Sequence, residues 1–349
     1  MDLKTALHSK KMIILTGTGG VGKTTLAAAI ALQGVKAGKK TLALTIDPAK
    51  RLAQALKATP LEVMTLDTKN TFDTLIRRYA PSKEIQDKIL NNRLYGYLSS
   101  MLAGTEEYMA LEKLYELVES KQYDLIVLDT PPSRHAVSFL EAPDRLARFL
   151  DEKTLKWFLK PYFLAGKMSI RLISSGSYFV FKLIEKLTGL ELLRELSEFL
   201  LNLQTLYTGF RERTLKVKEI LKSKEAFFLL VTNPEKTLFH QALLFYKNLD
   251  QLEIKLGGVI VNRMTEPLKL DSKESQALRL LHEKKWSEGL QFKLDIFEST
   301  QALAHVEEKE VQKFSDLLPK SCPLYKIPSF DEGLYDIHGL NRLNLYLFR

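Results

Sequence analysis

The segment GTGGVGKTT at residues 17–25 decides which fold this chain is expected to adopt. It fits the pattern GxxxxGK followed by Ser or Thr, and it comes directly after the apolar run MIILT at residues 12–16. Its glycines let successive backbone N–H groups turn toward an anion. Lys23 brings positive charge to the β and γ phosphates, and Thr24 offers a hydroxyl to Mg²⁺. The segment therefore predicts a nucleoside triphosphate site, since a glycine-rich turn without a ligand would not need the lysine and the hydroxyl.

The pattern alone leaves the nucleotide and the reaction open, because ATP and GTP, and hydrolysis and phosphoryl transfer, all use loops of this kind. Lys23 is the predicted catalytic cation, and Thr24 is a predicted Mg²⁺ ligand. The loop residues predicted to contact the nucleotide are Gly17, Thr18, Gly19, Gly20, Val21, Gly22, Lys23, Thr24 and Thr25.

Short runs of leucine and β-branched residues alternate with longer stretches of helical period, as strands and crossover helices do. Runs such as LIVLD and FFLLVT are apolar on successive residues, which is typical of strands buried on both faces. The predicted fold is α/β: a P-loop NTPase with a mostly parallel sheet covered by helices, plus an inserted all-helical subdomain. Strands are predicted at Met12 to Gly17, Thr41 to Asp47, Val63 to Asp67, Leu125 to Thr130, Phe227 to Thr232, Gly258 to Asn262 and Leu324 to Ile327.

Two helices are legible beside these strands. One is alanine-rich and runs from Thr24 to Ala37. The other covers residues 104–121 and opens with acidic residues behind a threonine, as helix starts do. One face of this second helix is apolar. That face carries Tyr108, Leu111, Tyr115 and Val118.

Residues 151–222 differ from the rest of the chain because they are helical, aromatic and leucine-rich and carry no strand signal. We interpret them as a helical insertion that binds a client, a membrane or a partner, between residues 1–150 and 223–349 of one P-loop ATPase domain. A hydrophobic client groove, a basic face toward an anionic membrane and packing onto the insertion's own core all fit the composition. The apolar residues concerned are Trp157, Phe158, Tyr162, Phe163, Tyr178, Phe179, Val180 and Phe181.

Two aspartates end predicted strands, and a phosphate loop needs such carboxylates to orient Mg²⁺ and the attacking water. Asp47 ends TLALTID, and Asp129 ends LIVLD. Both are expected at the carboxyl edge of the sheet, where ligand sites of α/β proteins form. A strand-end turn or a helix cap is the alternative for each. His135, in the turn after Asp129, is either a γ-phosphate sensor or a loop histidine without a special role.

Composition and charge indicate where in the cell the protein is expected to act. The net charge of +9 attracts nucleotides, other polyanions and anionic membranes without choosing among them, and a solvated basic surface is the simpler interpretation. Cys322 is the only cysteine, which fits a reducing compartment. The polar N-terminus lacks the apolar core of a secretory signal, and the apolar run at residues 172–181 is too short to span a bilayer. A cytoplasmic location is expected, with peripheral membrane association left open.

The chain carries six motifs in the order GTGGVGKTT, IDPAKRLAQAL, DTPPSRHAVSFLEAP, VTNPE, VIVNRM and IPSFDEGLYDIHGL. In this order and separation they resemble the arsenical-pump ATPase family, which includes the ATPases that target tail-anchored membrane proteins. The resemblance covers nearly the whole chain and is weak only across the helical insertion. It is greatest to the bacterial branch described as anion-transporting or ion-transporting ATPases.

The resemblance implies a role for each matching position. Asp47 matches the aspartate that positions the hydrolytic water, and Asp129 the aspartate near Mg²⁺, which it is expected to reach through water. Asn262 matches the asparagine that reads the adenine edge, which favours ATP. Glu235 matches a glutamate at the nucleotide site. Pro328 to Asp331, including Phe330, matches the loop that covers the adenine.

The resemblance also implies nucleotide-gated dimers whose helical subdomains bind a hydrophobic client helix or a membrane partner, and no nucleic acid is expected. Three departures bear on this. Thr18 stands where the family has a lysine that reaches the partner's phosphates, which puts activation across the dimer in doubt. The zinc-binding CxxC is missing after Asn262, so no zinc is expected. Cys322 alone cannot supply the metalloid-binding cysteines of the arsenite pump.

Three functions follow. The first is Mg²⁺-dependent ATP hydrolysis that drives a dimer, with itself or with a paralogue, between open and closed states and so controls a partner at the insertion. The second is a chaperone or heterodimer subunit gated by ATP occupancy with little turnover, which Thr18 motivates. The third is a P-loop phosphotransferase or ligase, which the later motifs and the large insertion disfavour.

Overall fold

The computed structural model describes most of the chain outside the helical insertion. The described residues are 1–45, 56, 59–95, 105–130, 141, 148, 195–196, 198–268, 270–274, 276, 278, 288–330, 334 and 336–349. Most of the insertion, including its predicted aromatic concentration, lies outside these ranges, and the domain boundaries stay a prediction.

Seven strands form one sheet in the order β3-β2-β4-β1-β5-β6-β7, and every pairing between neighbours is parallel. The prediction of an α/β fold with a mostly parallel sheet is confirmed. All seven predicted strands are present, with ends shifted by one or two residues where the ends are described. The strands are β1 Met12–Thr16, β2 Thr41–Thr45, β3 Glu62–Thr65, β4 Leu125–Asp129, β5 Ala226–Thr232, β6 Leu256–Met264 and β7 Leu324–Pro328.

Helices cover both faces of the sheet. Those used here are α1 Leu3–Ser9, α2 Lys23–Lys36, α3 Thr68–Tyr79, α4 Lys83–Leu90, α5 Thr105–Ser120, α6 Tyr207–Lys222, α7 Lys236–Gln251, α8 Glu288–Asp316 and α9 Ile337–Leu347.

Strand β1 shows how the two layers meet the sheet, because its successive side chains point to opposite faces. Met12 and Ile14 pack in the cluster that contains residues of α3, α5, α6 and α7. Ile13 and Leu15 pack in the other cluster, with α1, α2 and α9. All four side chains are fully buried, as the unbroken apolar run predicts.

Helix α5 confirms the predicted apolar face, since Tyr108, Leu111, Tyr115 and Val118 are all buried. The last part of the predicted insertion, α6, packs against it: Phe210 lies 6.4 Å from Tyr108, ring centre to ring centre. This end of the insertion therefore shares the core of the sheet domain.

The order of the strands sets the place of the site. The chain fills one side of β1 with β2, β3 and β4 and then crosses to β5 on the other side. A crevice forms at such a switch point, at the carboxyl ends of the strands. The phosphate loop follows β1 there, and Asp129 ends the adjacent strand β4.

Candidate active site

The phosphate loop fits tightly between β1 and β5. A Cβ atom on Gly17 would lie 2.2 Å from the carbonyl oxygen of Val231, so only glycine allows this approach. Lys23 begins α2 and is 6% exposed. Its Nζ donates to the carbonyl oxygens of Gly17 at 3.0 Å and Thr18 at 2.9 Å. The loop thus wraps its own lysine, which holds the positive charge at the start of the helix.

Three oxygen-bearing side chains meet beside this lysine. Thr24 Oγ1 donates to Asp129 Oδ2 at 2.6 Å, and Thr45 Oγ1 donates to the same oxygen at 3.1 Å. Asp129 is 3% exposed. Hydroxyl and carboxylate oxygens are the ligand atoms that Mg²⁺ prefers. This arrangement therefore fits the predicted Mg²⁺ site, with Thr24 as a direct ligand and Asp129 beside it.

Asn262 joins strand β6 to the phosphate loop through a hydrogen bond. Its Nδ2 donates to the carbonyl oxygen of Val21 at 2.8 Å, and both residues are buried. Gly22 has φ of 94°, and a Cβ atom there would lie 2.4 Å from that same Nδ2. Glycine is required at this position by both the backbone angle and the close amide.

A cavity of about 170 Å³ opens on the other side of the Gly22–Asn262 contact. It brings together Asn262, Pro328 and Phe330, three residues predicted at the adenine. Phe330 packs edge-on against Tyr346 at 5.9 Å between ring centres, and the Arg342 guanidinium lies 5.0 Å from the centre of the Phe330 ring. Pro328, Phe330 and Leu343 give the cavity apolar surface beside the Asn262 amide, a combination that suits a nucleotide base. The lining residues are Gly22, Thr25, Leu26, Asn262, Arg263, Pro328, Ser329, Phe330, Leu334 and Leu343.

The remaining predicted site residues differ in what the structure shows of them. Glu235 is exposed and stands at the start of α7, where its side chain makes no capping hydrogen bond. Gly19 and Gly20 are exposed at the tip of the loop. Thr18 Oγ1 is buried and has no hydrogen-bond partner among the described residues. Asp47 and His135 lie outside the described residues.

Three features of the site are not predicted from the sequence. Thr45 reaches Asp129 because β2 and β4 are neighbours in register, Thr45 opposite Asp129. The link from Asn262 to Val21 spans 241 positions of the chain. Arg263, next to Asn262, has φ of 60° and lines the cavity. A hydroxyl near the carboxyl end of a predicted strand is the one local signal, and Thr130 and Thr232 share it with Thr45, so it does not single out Thr45.

Cys322 lies before β7 and is half-buried. Burial raises the pKa of its thiol to about 11. A thiol of this kind is protonated at neutral pH, and thiolate is the form that binds metals and metalloids.

The fold and the phosphate loop define the chain as a P-loop NTPase of the α/β class. A sequence model of the anion-transporting ATPase family matches residues 10–293. The chain belongs to this family and is an ATPase, which confirms the family resemblance.

Three proteins that are similar to the chain carry different names. An "ATPase ASNA1 homolog" of Cryptosporidium parvum is 26% identical over 92% of this chain and 82% of its own length. An "ATPase get3" of Pyrenophora tritici-repentis is 25% identical over 91% of this chain and 94% of its own length. A protein of Aquifex aeolicus named as an arsenical pump-driving ATPase is 28% identical over 73% of this chain and 80% of its own length.

No helix within the described ranges has both the length and the apolar character needed to cross a bilayer.

Proposed function

We propose that this ATPase hydrolyses ATP with Mg²⁺ and uses the reaction to switch a dimer between open and closed states that control a partner at the helical insertion. The observation that carries the chemistry is the 2.6 Å hydrogen bond from Thr24 to Asp129 beside the buried Lys23. The dimer and its partner rest on the family and on the composition of residues 151–222. The location is proposed to be cytoplasmic, with contact at a membrane surface when the partner is there.

Lys23 binds and orients the triphosphate. Two of its three donors now bond the carbonyl oxygens of Gly17 and Thr18, which are neutral acceptors. Phosphate oxygens are charged acceptors and form stronger hydrogen bonds with ammonium. ATP binding therefore exchanges bonds within the loop for bonds to the β and γ phosphates, and the N–H groups of the loop and of the first turn of α2 complete the cradle.

Thr24, Asp129 and Thr45 prepare the metal side of the site. Bound Mg²⁺ neutralises charge on the phosphate oxygens. Thr24 is proposed as its direct ligand, and Asp129 as a contact through water. Thr45 fixes the Asp129 carboxylate from the neighbouring strand. Asp47 is proposed to orient the attacking water, an assignment that comes from the family motif alone.

The base is proposed to occupy the cavity beside Asn262, Pro328 and Phe330, with Glu235 near the nucleotide. The Asn262 amide donates one hydrogen to Val21 and retains a second N–H and an oxygen with which to read adenine. No zinc and no nucleic acid are assigned a role in this proposal.

A second candidate is a subunit gated by ATP occupancy, with little turnover unless a paralogue supplies a lysine. Thr18 favours it, because the Thr18 hydroxyl is buried in the loop and its short side chain cannot reach a second nucleotide. Hydrolysis by the purified chain alone separates the two candidates. Turnover that appears only after the paralogue is added supports the second, and full turnover without it supports the first.

The test of the chemistry measures ATP hydrolysis and ATP binding for Lys23→Ala, Asp47→Asn and the exposed control Lys247→Ala. We expect Lys23→Ala to lose binding and to lower hydrolysis by about 100-fold or more, as removal of a charge-stabilising donor does. Asp47→Asn should keep ATP binding and slow hydrolysis strongly, because the water loses its orienting carboxylate. The assignment of Lys23 would be wrong if Lys23→Ala turned over like Lys247→Ala, and unchanged turnover in Asp47→Asn would remove that role.

A further inference from the structure

A second cavity, of about 420 Å³, opens at the amino edge of the sheet. Residues that precede β1, β2 and β4 line it, namely Lys11, Lys39 and Asp124. The phosphate loop follows the carboxyl end of β1, so the strand separates the two sites. The volume lies in the range of roughly 300 to 1,000 Å³ that small-molecule sites occupy.

The wall of this cavity is strongly basic. It contains four lysines, Lys10, Lys11, Lys39 and Lys121, and one acidic residue, Asp124. Asp124 accepts a hydrogen bond at 2.9 Å from the backbone N–H of Lys40 and is thereby held against the chain. A wall with this excess of positive charge concentrates anions at the opening.

Two of the ammonium groups donate hydrogen bonds to neutral carbonyl oxygens. Lys10 Nζ donates to the carbonyl oxygen of Lys224 at 2.5 Å, and Lys39 Nζ donates to that of His8 at 2.8 Å. Carbonyl oxygens orient a lysine but leave its full charge, whereas Lys11 is paired with the Glu225 carboxylate at 2.6 Å. Burial lowers the pKa of Lys39, against the opposing effect of the Asp124 carboxylate, and a bound anion would offset the cost of burial further.

Part of the cavity lining is apolar. Val118 and Ile126, both buried, line it together with the ring of Tyr123. The Lys40 ammonium lies 5.2 Å from the centre of that ring. A few charged groups beside apolar surface suit a small ligand that carries an anionic group on a less polar body.

We propose that this cavity binds a small phosphate-bearing anion, as a second ligand site distinct from the phosphate loop. Lysine provides a compact, mobile point charge, which serves phosphate recognition well. Phosphate of this kind can belong to a soluble metabolite or to the headgroup of an anionic lipid.

The lysines also follow the ends of α1, α2 and α5, where positive charge stabilises helix dipoles. A capping role alone predicts that their removal lowers stability and leaves ligand affinity unchanged. The two roles are therefore distinguishable by separate measurements.

The experiment titrates the full chain with inorganic pyrophosphate by calorimetry, in a Lys23→Ala background that silences the phosphate loop. The cavity variant is Lys39→Gln/Lys121→Gln, and its control, Lys247→Gln/Lys293→Gln, removes the same charge at exposed positions elsewhere. We expect the cavity variant to bind pyrophosphate about tenfold or more weakly and the control to bind as the parent does. Equal affinity in the cavity variant, or no binding in the Lys23→Ala parent and none to vesicles, would overturn the proposal.

A second experiment identifies whether the phosphate group belongs to a lipid or to a soluble ligand. Sedimentation with vesicles of phosphatidylglycerol and phosphatidylcholine, compared between the same variants, reveals headgroup binding. Loss of vesicle binding in the cavity variant alone assigns a lipid headgroup, and pyrophosphate binding without vesicle binding assigns a soluble ligand. Thermal unfolding and ATP hydrolysis with Lys23 intact check that each variant folds. The single variant Lys121→Gln, which leaves the Lys39 hydrogen bond in place, replaces the double variant if that one unfolds.

Discussion

The hydroxyl of Thr24 connects the phosphate loop to strand β4 through a hydrogen bond. Its Oγ1 donates to Asp129 Oδ2 at 2.6 Å, and Thr45 approaches the same oxygen. The sequence pattern allows Ser or Thr here, and both carry on Cβ the hydroxyl that reaches the strand-end carboxylate and is proposed to bind the cation. The methyl group of Thr24 has no part in this contact.

Thr24 yields a prediction with a matched control. Thr24→Ser keeps the hydroxyl and Thr24→Ala removes it, so we expect the serine variant to hydrolyse ATP within a few-fold of the parent. The alanine variant should be slower by about 100-fold or more, since the buried Asp129 carboxylate loses one of its donors and the metal loses a ligand. Hydrolysis measured over a range of Mg²⁺ concentrations should show that Thr24→Ala also needs more metal. Equal rates in the two variants would contradict the role of the hydroxyl.

At the scale of elements, one buried ion pair joins α5 to α6. Arg213 Nε donates to Glu112 Oε1 at 2.6 Å, and both side chains are under 10% exposed. The Arg213 guanidinium also lies 3.8 Å from the centre of the Tyr115 ring. Burial raises the pKa of the Glu112 carboxyl, against the opposing effect of Arg213. The pair thus links α6, the last part of the predicted insertion, to α5.

Breaking one half of this pair should cost more than removing both halves. Arg213→Met leaves the Glu112 carboxylate buried without its partner, a change that typically costs about 3–5 kcal/mol. Glu112→Leu/Arg213→Met removes both charges and fills the space with apolar atoms. We expect urea unfolding to give a double variant more stable than Arg213→Met alone. If the double variant were the less stable of the two, burial of the charges would not be the cost that governs this contact.

The sequence predicted those elements whose signal is local. Runs such as LIVLD and FFLLVT are buried on both faces, so their apolar character alone marks β4 and β5. The phosphate loop is likewise a local pattern. Contacts that depend on strand order have no such signal: Thr45 meets Asp129 only because β2 lies beside β4, and Asn262 meets Val21 only because β6 passes the loop. The basic cavity at the amino edge also has no local sequence signal, because its lysines come from separate segments of the chain.

At the scale of the whole molecule, the two cavities lie at opposite edges of one parallel sheet. Strands β1, β2 and β4 begin beside the basic cavity and end toward the nucleotide site, and β1 is flanked by Lys11 and Gly17. A ligand at either edge therefore contacts segments that continue through the same core. The proposed dimer adds a second chain at the nucleotide edge, where Thr18 stands in place of the lysine that the family uses between subunits.

The dimer leads to the last prediction, made with Thr18→Lys and with Gln241→Lys as an exposed control of equal charge. If two chains face each other through their phosphate loops, hydrolysis per chain should rise with protein concentration. A non-hydrolysable ATP analogue with Mg²⁺ should then shift the mass measured by light scattering from monomer to dimer. A lysine at position 18 brings a positive charge to the partner's phosphates, and charges supplied in this way can accelerate hydrolysis by about 10³-fold or more. We expect at least about a tenfold rise for Thr18→Lys, because the neighbouring residues did not evolve around that side chain. No rise for Thr18→Lys over Gln241→Lys, together with a monomeric mass in the presence of the analogue, would argue against a dimer that closes through the loops.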